Sequence, residues 1–259
     1  FGTFGYLRRS HMDAPVTFYD YGITHLIEEN ANAPGPRYPL RWDQRVLPLA
    51  SRFILPSGGG SFYHESEAIW GDFTATIGLR WDWERTEIRY ANSSHSSYSL
   101  WDYEGPVPVV NTPAIPVDVE MSGNLHRTYA QLLPKFTLSY LLPAKRGDLF
   151  ASVTKGYKSG GYNTQMFSDV LQQRIRTKVG LQQQYDIREM VEYEPESTWN
   201  YEVGPHLRLL GHRLHIDATL FWIECRDQQL TMFPEGSVTG RVMANAGRSR
   251  SRGAEISAR

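Results

Sequence analysis

The chain has 259 residues, enough for one large domain or two small ones, and a single cysteine, Cys225, which excludes an internal disulfide framework and cysteine-based metal sites. Its 27 lysines and arginines nearly cancel 28 aspartates and glutamates, so no global basic field points to nucleic acid as a partner. Mean hydropathy is negative, and no run of about 18 apolar residues occurs, which excludes a transmembrane helix but not a barrel strand of about ten residues with alternating faces.

The opening FGTFGYLRR is not an initiator Met followed by a signal peptide, and the closing GAEISAR alternates like the middle of a strand. The chain therefore reads as a piece of something longer.

Periodicity is the main signal. In residues 73–87, Phe73, Ala75, Ile77, Leu79, Trp81 and Trp83 share one apolar face, against Thr74, Thr76, Gly78, Arg80, Asp82 and Glu84. That period of two predicts a strand between two different environments. It recurs in Ala130, Leu132, Pro134, Phe136, Leu138 and Tyr140, and in Leu149, Ala151, Val153 and Tyr157. Trp199, Tyr201, Val203, Leu207 and Leu209 repeat it, as do Leu214, Ile216, Ala218, Leu220 and Trp222. The opposite, polar faces include Lys158, Glu202, His206 and His215.

Connections sort by length. Gly71-Asp72, residues 142–148 and residues 210–213 read as tight turns, while residues 91–126 and 161–193 read as long polar loops. Short turns at one end and long loops at the other suit a transmembrane β-barrel, as do strands far longer than about 5–6 residues and aromatics at the ends of the apolar runs. With the tight turns on the periplasmic side, residues 148–158 climb, Tyr157 sits at the lipid–water boundary and Lys158 faces the lumen. Residues 233–240 then form a short outer loop, and residues 246–259 descend. The competing arrangement is a sandwich with its apolar faces packed together, as in a soluble β-rich carbohydrate-binding or adhesive protein.

GYKSGGYN, residues 156–163, looks at first like a phosphate cradle. The order is wrong for G-x-x-x-x-G-K-[ST], and no suitable helical pattern follows directly, so the glycines are read as a strand exit. His206, His212 and His215 lie close in sequence, but no metal site is assigned to them. Asp82 and Glu84 on one strand face are read as lumen lining with Arg80 as neutralising partner, no G-x-S-x-G elbow occurs, and no enzyme is expected. The lumen-facing set is Arg80, Asp82, Lys158, Glu202, His206 and His215. Ligand-contact candidates in the outer loops are Trp101, Tyr103, Tyr162, Asn163, Gln165 and Met166, an aromatic, amide and thioether mixture suited to an organic ligand.

Residues 131–140 (QLLPKFTLSY), 149–163 (LFASVTKGYKSGGYN), 193–204 (YEPESTWNYEVG) and 245–255 (NAGRSRSRGAE) together resemble the barrel of TonB-dependent outer-membrane receptors. Residues 166–173 and 225–230 look closest to Bacteroidetes-type receptors. The resemblance implies an all-β, antiparallel transmembrane β-barrel of the plugged class, of which residues 1–259 supply about ten strands. No plug domain, TonB box or final aromatic-terminated strand is recognised. The implied function is uptake across the bacterial outer membrane of a scarce nutrient such as an iron chelate (siderophore), haem or cobalamin, or of a glycan. The implied partners are outer-membrane lipid, that small-molecule ligand, and TonB acting through the missing plug and TonB box. The resemblance implies no cofactor.

Overall fold

The computed structural model describes residues 1–19, 40–102, 107–180, 186–211, 213–233 and 242–259. The strands are β1 (Gly2–Asp13), β2 (Val16–Phe18), β3 (Leu40–Trp42), β4 (Leu47–Trp70), β5 (Phe73–Asp102), β6 (Val109–Leu141) and β7 (Gly147–Lys158). They continue as β8 (Gly161–Tyr162), β9 (Glu192–Tyr193), β10 (Glu196–Leu209), β11 (Leu214–Arg226), β12 (Gln229–Met232), β13 (Val242–Asn245) and β14 (Arg248–Ala258). Two helices, α1 (Met166–Lys178) and α2 (Ile187–Val191), lie between β8 and β9.

Eight strands form one antiparallel wall in the order β1-β4-β5-β6-β7-β10-β11-β14. Its edges, β1 and β14, do not pair with each other, so the wall is a partial barrel that does not close. The tight turns gather at one end. Gly71, at φ +60°, joins Trp70 to Phe73, and Leu210 and Gly211, at φ 51° and 67°, join β10 to β11.

The apolar stripe of β5 faces outward. Phe73, Ile77, Leu79, Trp81 and Trp83 remain 39–60% exposed, so among the described residues no second sheet packs on them and the sandwich arrangement is not formed. The stripe spans ten residue steps from Phe73 to Trp83, or about 33 Å of strand at roughly 3.3 Å per step. Tilted about 40°, it covers a band of about 25 Å, the height of a barrel's apolar belt.

Two expectations are corrected here. Residues 91–126 are not one long loop, because β5 runs on to Asp102 and β6 begins at Val109 in one extended hairpin. The serine-rich run from Ser93 to Ser99 is strand because each residue has a cross-strand partner, with a register shift near Leu100. Residues 161–193 are also not featureless, since they hold α1 and α2. The short outer loop expected at residues 233–240 lies outside the described residues except for Phe233, and so does His212.

Along β5 the alternation changes sense. Below Trp83 the odd residues are apolar; above it Glu87, Arg89 and His95 are polar, while Ile88 and Tyr90 are apolar and buried. The strand has not slipped. Beyond Trp83 its outer face carries charged residues suited to water, and its inner face packs against protein. β4 and β6 bring Leu47, Leu49, Phe53, Val117, Val119, Met121 and Leu125 to the same inner face. This is where the core sits.

Candidate functional site

α1 rests on that inner surface. Met166, Phe167, Val170, Leu171 and Ile175 recur at helical spacing and are all buried. Phe167 meets Phe53 edge-on at 5.1 Å and Tyr90 at 4.7 Å between ring centroids. Burying one such side chain stabilises by about 2–3 kcal/mol, so the aromatic trio fixes the helix on the wall.

A polar hub holds the strand ends at the outer rim. Asn245 accepts from the Glu194 N–H at 2.7 Å and donates to the carbonyls of Glu194 at 2.9 Å and Asp227 at 2.7 Å. Gln229 donates to the Ser159 carbonyl at 2.8 Å and the Glu194 carbonyl at 3.0 Å. Asn163 and Met243 are paired reciprocally, amide to backbone, at 2.8 Å each way. The exits of β7 and β11 and the entries of β10 and β14 are thus tied together.

Between this hub and the wall lies a cavity of about 280 Å³, lined by Arg8, Ser57, Glu84, Thr86, Ser159, Gly160, Tyr162 and Tyr193 among others. Tyr162 Oη and Thr86 Oγ1 are buried and make no well-formed hydrogen bond. Burial, reinforced by the nearby Glu192 carboxylate, pushes the Tyr162 phenol up to about 12, against a smaller lowering by Thr86. Burial also raises the Tyr193 phenol, with Tyr129 adding to it. Both phenols therefore remain neutral donors at physiological pH. Glu84 accepts from Tyr157 at 3.3 Å, and Arg127 pairs with Glu192 at 3.4 Å and with Glu194. The chemistry on offer is hydrogen bonding and aromatic contact for a compact organic ligand. Among the described residues no cluster of three or more His, Cys, Asp or Glu side chains forms a cation site.

The sequence-predicted residues divide. Tyr162 lines the cavity, while Gln165 is exposed beside it at the start of α1. Asn163 is occupied in the hub, and Met166 is buried in the core under α1. Trp101 is not in a loop. It is the penultimate residue of β5, with the Arg41 guanidinium 4.4 Å above its ring. Tyr103 lies outside the described residues. Arg80 donates to Asp82 at 2.5 Å on one strand face. Glu202 accepts from Asn200 at 2.7 Å and from Ser152 at 3.4 Å. His206 meets Asp148 at 3.1 Å and stacks on Phe150, and His215 stands opposite Arg208. Lys158 is exposed opposite Glu196.

Tyr157 is the clear correction. It was expected at the lipid boundary, but β7 pairs with β6 only as far as Thr154, and beyond that its side chains turn inward to Glu84 and Gln131. Sequence reasoning also missed the cavity's shape. Alternation puts Glu84 and Thr86 on the inner face, but no local signal shows that Tyr162 and Tyr193 will come down on them.

The family model described as "TonB dependent receptor-like, beta-barrel" matches residues 3–259. No curated protein matches the chain. Among solved structures, the ferric yersiniabactin uptake receptor FyuA of Yersinia pestis is similar at 14% identity and a TM-score of 0.33, over 88% of this chain and 41% of the receptor. The Serratia marcescens hemophore receptor HasR, solved with HasA and heme, is similar at 12% identity and a TM-score of 0.40, over 98% and 46%. The siderophore receptor PirA of Pseudomonas aeruginosa follows at 11% and 0.35, over 97% and 44%. The chain spans less than half the length of each of these proteins.

Proposed function

This chain belongs to the TonB-dependent receptor-like β-barrel family, and we propose that it supplies part of the wall and outer vestibule of a receptor that imports a scarce nutrient across the bacterial outer membrane. The cargo class is an iron chelate, haem or cobalamin, and the energy comes from TonB through a plug domain. The protein binds and passes its ligand; it is not an enzyme. Residues 166–173 and 225–230 align this proposal with Bacteroidetes-type receptors.

One observation carries the reading. Above an outward apolar band, the inner face holds a cavity lined by the neutral phenols of Tyr162 and Tyr193 and by the Thr86 hydroxyl. Phenol and hydroxyl groups converging on a concave surface are the orienting contacts of a small-molecule site. The outward exposure of Phe73, Ile77 and Leu79 disfavours the soluble carbohydrate-binding alternative, because that stripe would then face water.

The test is a fluorescence-quenching titration of the full-length receptor with ferric chelates, haem and cobalamin, repeated on Tyr162→Ala. The expected result is saturable binding of one class, weakened about tenfold in the variant, the loss of roughly one neutral hydrogen bond and its ring contact. Equal affinity in both proteins refutes the assignment of this cavity.

A further inference from the structure

The glycines at positions 160 and 161 do more than let the chain leave the wall. β8 and β9 form a ladder of two rungs, with Gly161 opposite Tyr193 and Tyr162 opposite Glu192. The Tyr193 ring lies back across Gly161: a Cβ there would stand 2.5 Å from the phenol oxygen and 2.8 Å from Cζ. An aromatic ring covering the bare backbone of its cross-strand glycine is a favourable pairing.

The ladder itself cannot give way to a side chain. On the β8 side, the Ser159 carbonyl accepts from Gln229 at 2.8 Å, and the Asn163 N–H donates to the Val191 carbonyl at 2.7 Å. On the β9 side, Arg127 pairs with Glu192 at 3.4 Å and with Glu194, and the Glu194 carbonyl accepts from Gln229 and Asn245. With both backbones held, a methyl at position 161 displaces the Tyr193 ring. Gly160 differs, because a Cβ there would meet the Tyr193 carbonyl as well as the Tyr129 hydroxyl at 2.6 Å, and would part the ladder. None of these residues lies on β1 or β14, the wall's open edges.

Two spaces adjoin the ring. Tyr193 lines the cavity of about 280 Å³ on one side and, with Thr231, Val242 and Met243, a rim pocket of about 270 Å³ on the other. The cavity is just below the usual range for small-molecule sites, roughly 300–1,000 Å³, so it suits one ring-sized arm of a cargo. A displaced phenol would take up part of that room.

We propose that Gly161 is the positioning residue that sets the size limit of the cavity. Lacking a side chain, it keeps the Tyr193 phenol folded back on the ladder, and the space left admits a single aromatic, hydrogen-bonding arm. The proposal rests on the cavity reading above but concerns the cavity's size limit, not the identity of the nutrient.

Ligand-observed NMR titration of the full-length receptor in detergent, with benzamide and 2-naphthamide as neutral probes, reads that limit. Wild type should bind both saturably. Gly161→Ala should weaken 2-naphthamide about tenfold or more and benzamide less than about threefold, the discrimination that one methylene in a filled pocket supplies. Adding Tyr193→Ala to Gly161→Ala should restore 2-naphthamide binding, a non-additive rescue that general loss of folding does not give. Tyr193→Ala alone should shift the preference towards 2-naphthamide relative to wild type. Equal weakening of both probes by Gly161→Ala, absence of rescue, an unshifted preference in Tyr193→Ala, or a wild type that binds neither probe overturns the proposal. Failure of the nutrient reading shows separately, as absent saturable binding of ferric chelates, haem and cobalamin, and leaves the amide result standing.

Discussion

Replacing Asn245 by alanine removes three side-chain hydrogen bonds, two to Glu194 and one to Asp227. The Glu194 carbonyl keeps its bond from Gln229 at 3.0 Å, so the groups left without a protein partner are the Glu194 N–H and the Asp227 carbonyl. Both sit at an exposed rim and can turn to water, which places each bond at the low end of roughly 0.5–1.5 kcal/mol. The hub should therefore lose about 1–2 kcal/mol, a factor of about 5–30 in its local opening equilibrium. Hydrogen exchange followed by mass spectrometry on the full-length receptor reads this directly. Peptides over residues 192–197 and 226–230 should exchange faster by that factor, while residues 73–83, in the lipid band, should not change. Unchanged exchange at Glu194 would show that Asn245 is not the clamp and that the strand ends are held by wall pairing alone.

Phe167→Ala should cost about 3–5 kcal/mol of local stability, because the side chain is fully buried between Phe53 and Tyr90; limited proteolysis should then cut within α1 while β5 stays protected. Ile77→Arg puts a charge near the middle of the outward band and should destabilise the folded barrel by about 2–4 kcal/mol, measured by denaturant unfolding in lipid vesicles. Tyr162 should ionise only near pH 12, so an ultraviolet phenolate titration of Tyr162→Phe should lose one phenol's amplitude from the late phase and keep the rest. A phenol raised in the fold favours folding fully below the usual value near 10, and that stability is lost as pH climbs from about 10 to 12.

The membrane band was legible because its physics is local. Two environments on either side of one strand write themselves as period two, and Phe73 to Trp83 carries that pattern without interruption. The turns at Gly71 and at residues 210–211 were legible for the same reason, since the chain must reverse within two residues there. The extension beyond the lipid was not. Ser93, Ser94, Ser96 and Ser97 have no strand propensity to advertise, and they are strand because β6, and β4 at Ser93 and Ser94, lie beside them. α1 hides similarly: its buried residues are separated by Gln172, Gln173, Arg174 and Arg176, so the segment reads as polar until Phe53 and Tyr90 give it a seat. Tyr157 went wrong because alternation was carried past Thr154, where β7 parts from β6 and stays paired with β10 alone. The cavity depends on all three of these non-local events, and no single stretch encodes it.

The exchange of environments along β5, at constant facing, is tested most directly by site-directed spin labelling. Single labels placed one at a time from residue 75 to residue 95 of the full-length receptor in bilayers, with Cys225 replaced by serine, report contact with lipid-soluble oxygen or a water-soluble nickel complex. Odd positions up to Trp83 should be oxygen-accessible; odd positions from Glu87 onward should be nickel-accessible, and Ile88 and Tyr90 should be shielded from both. Oxygen accessibility that continued on odd positions to residue 95, or nickel access to Ile77 and Leu79, would contradict the account.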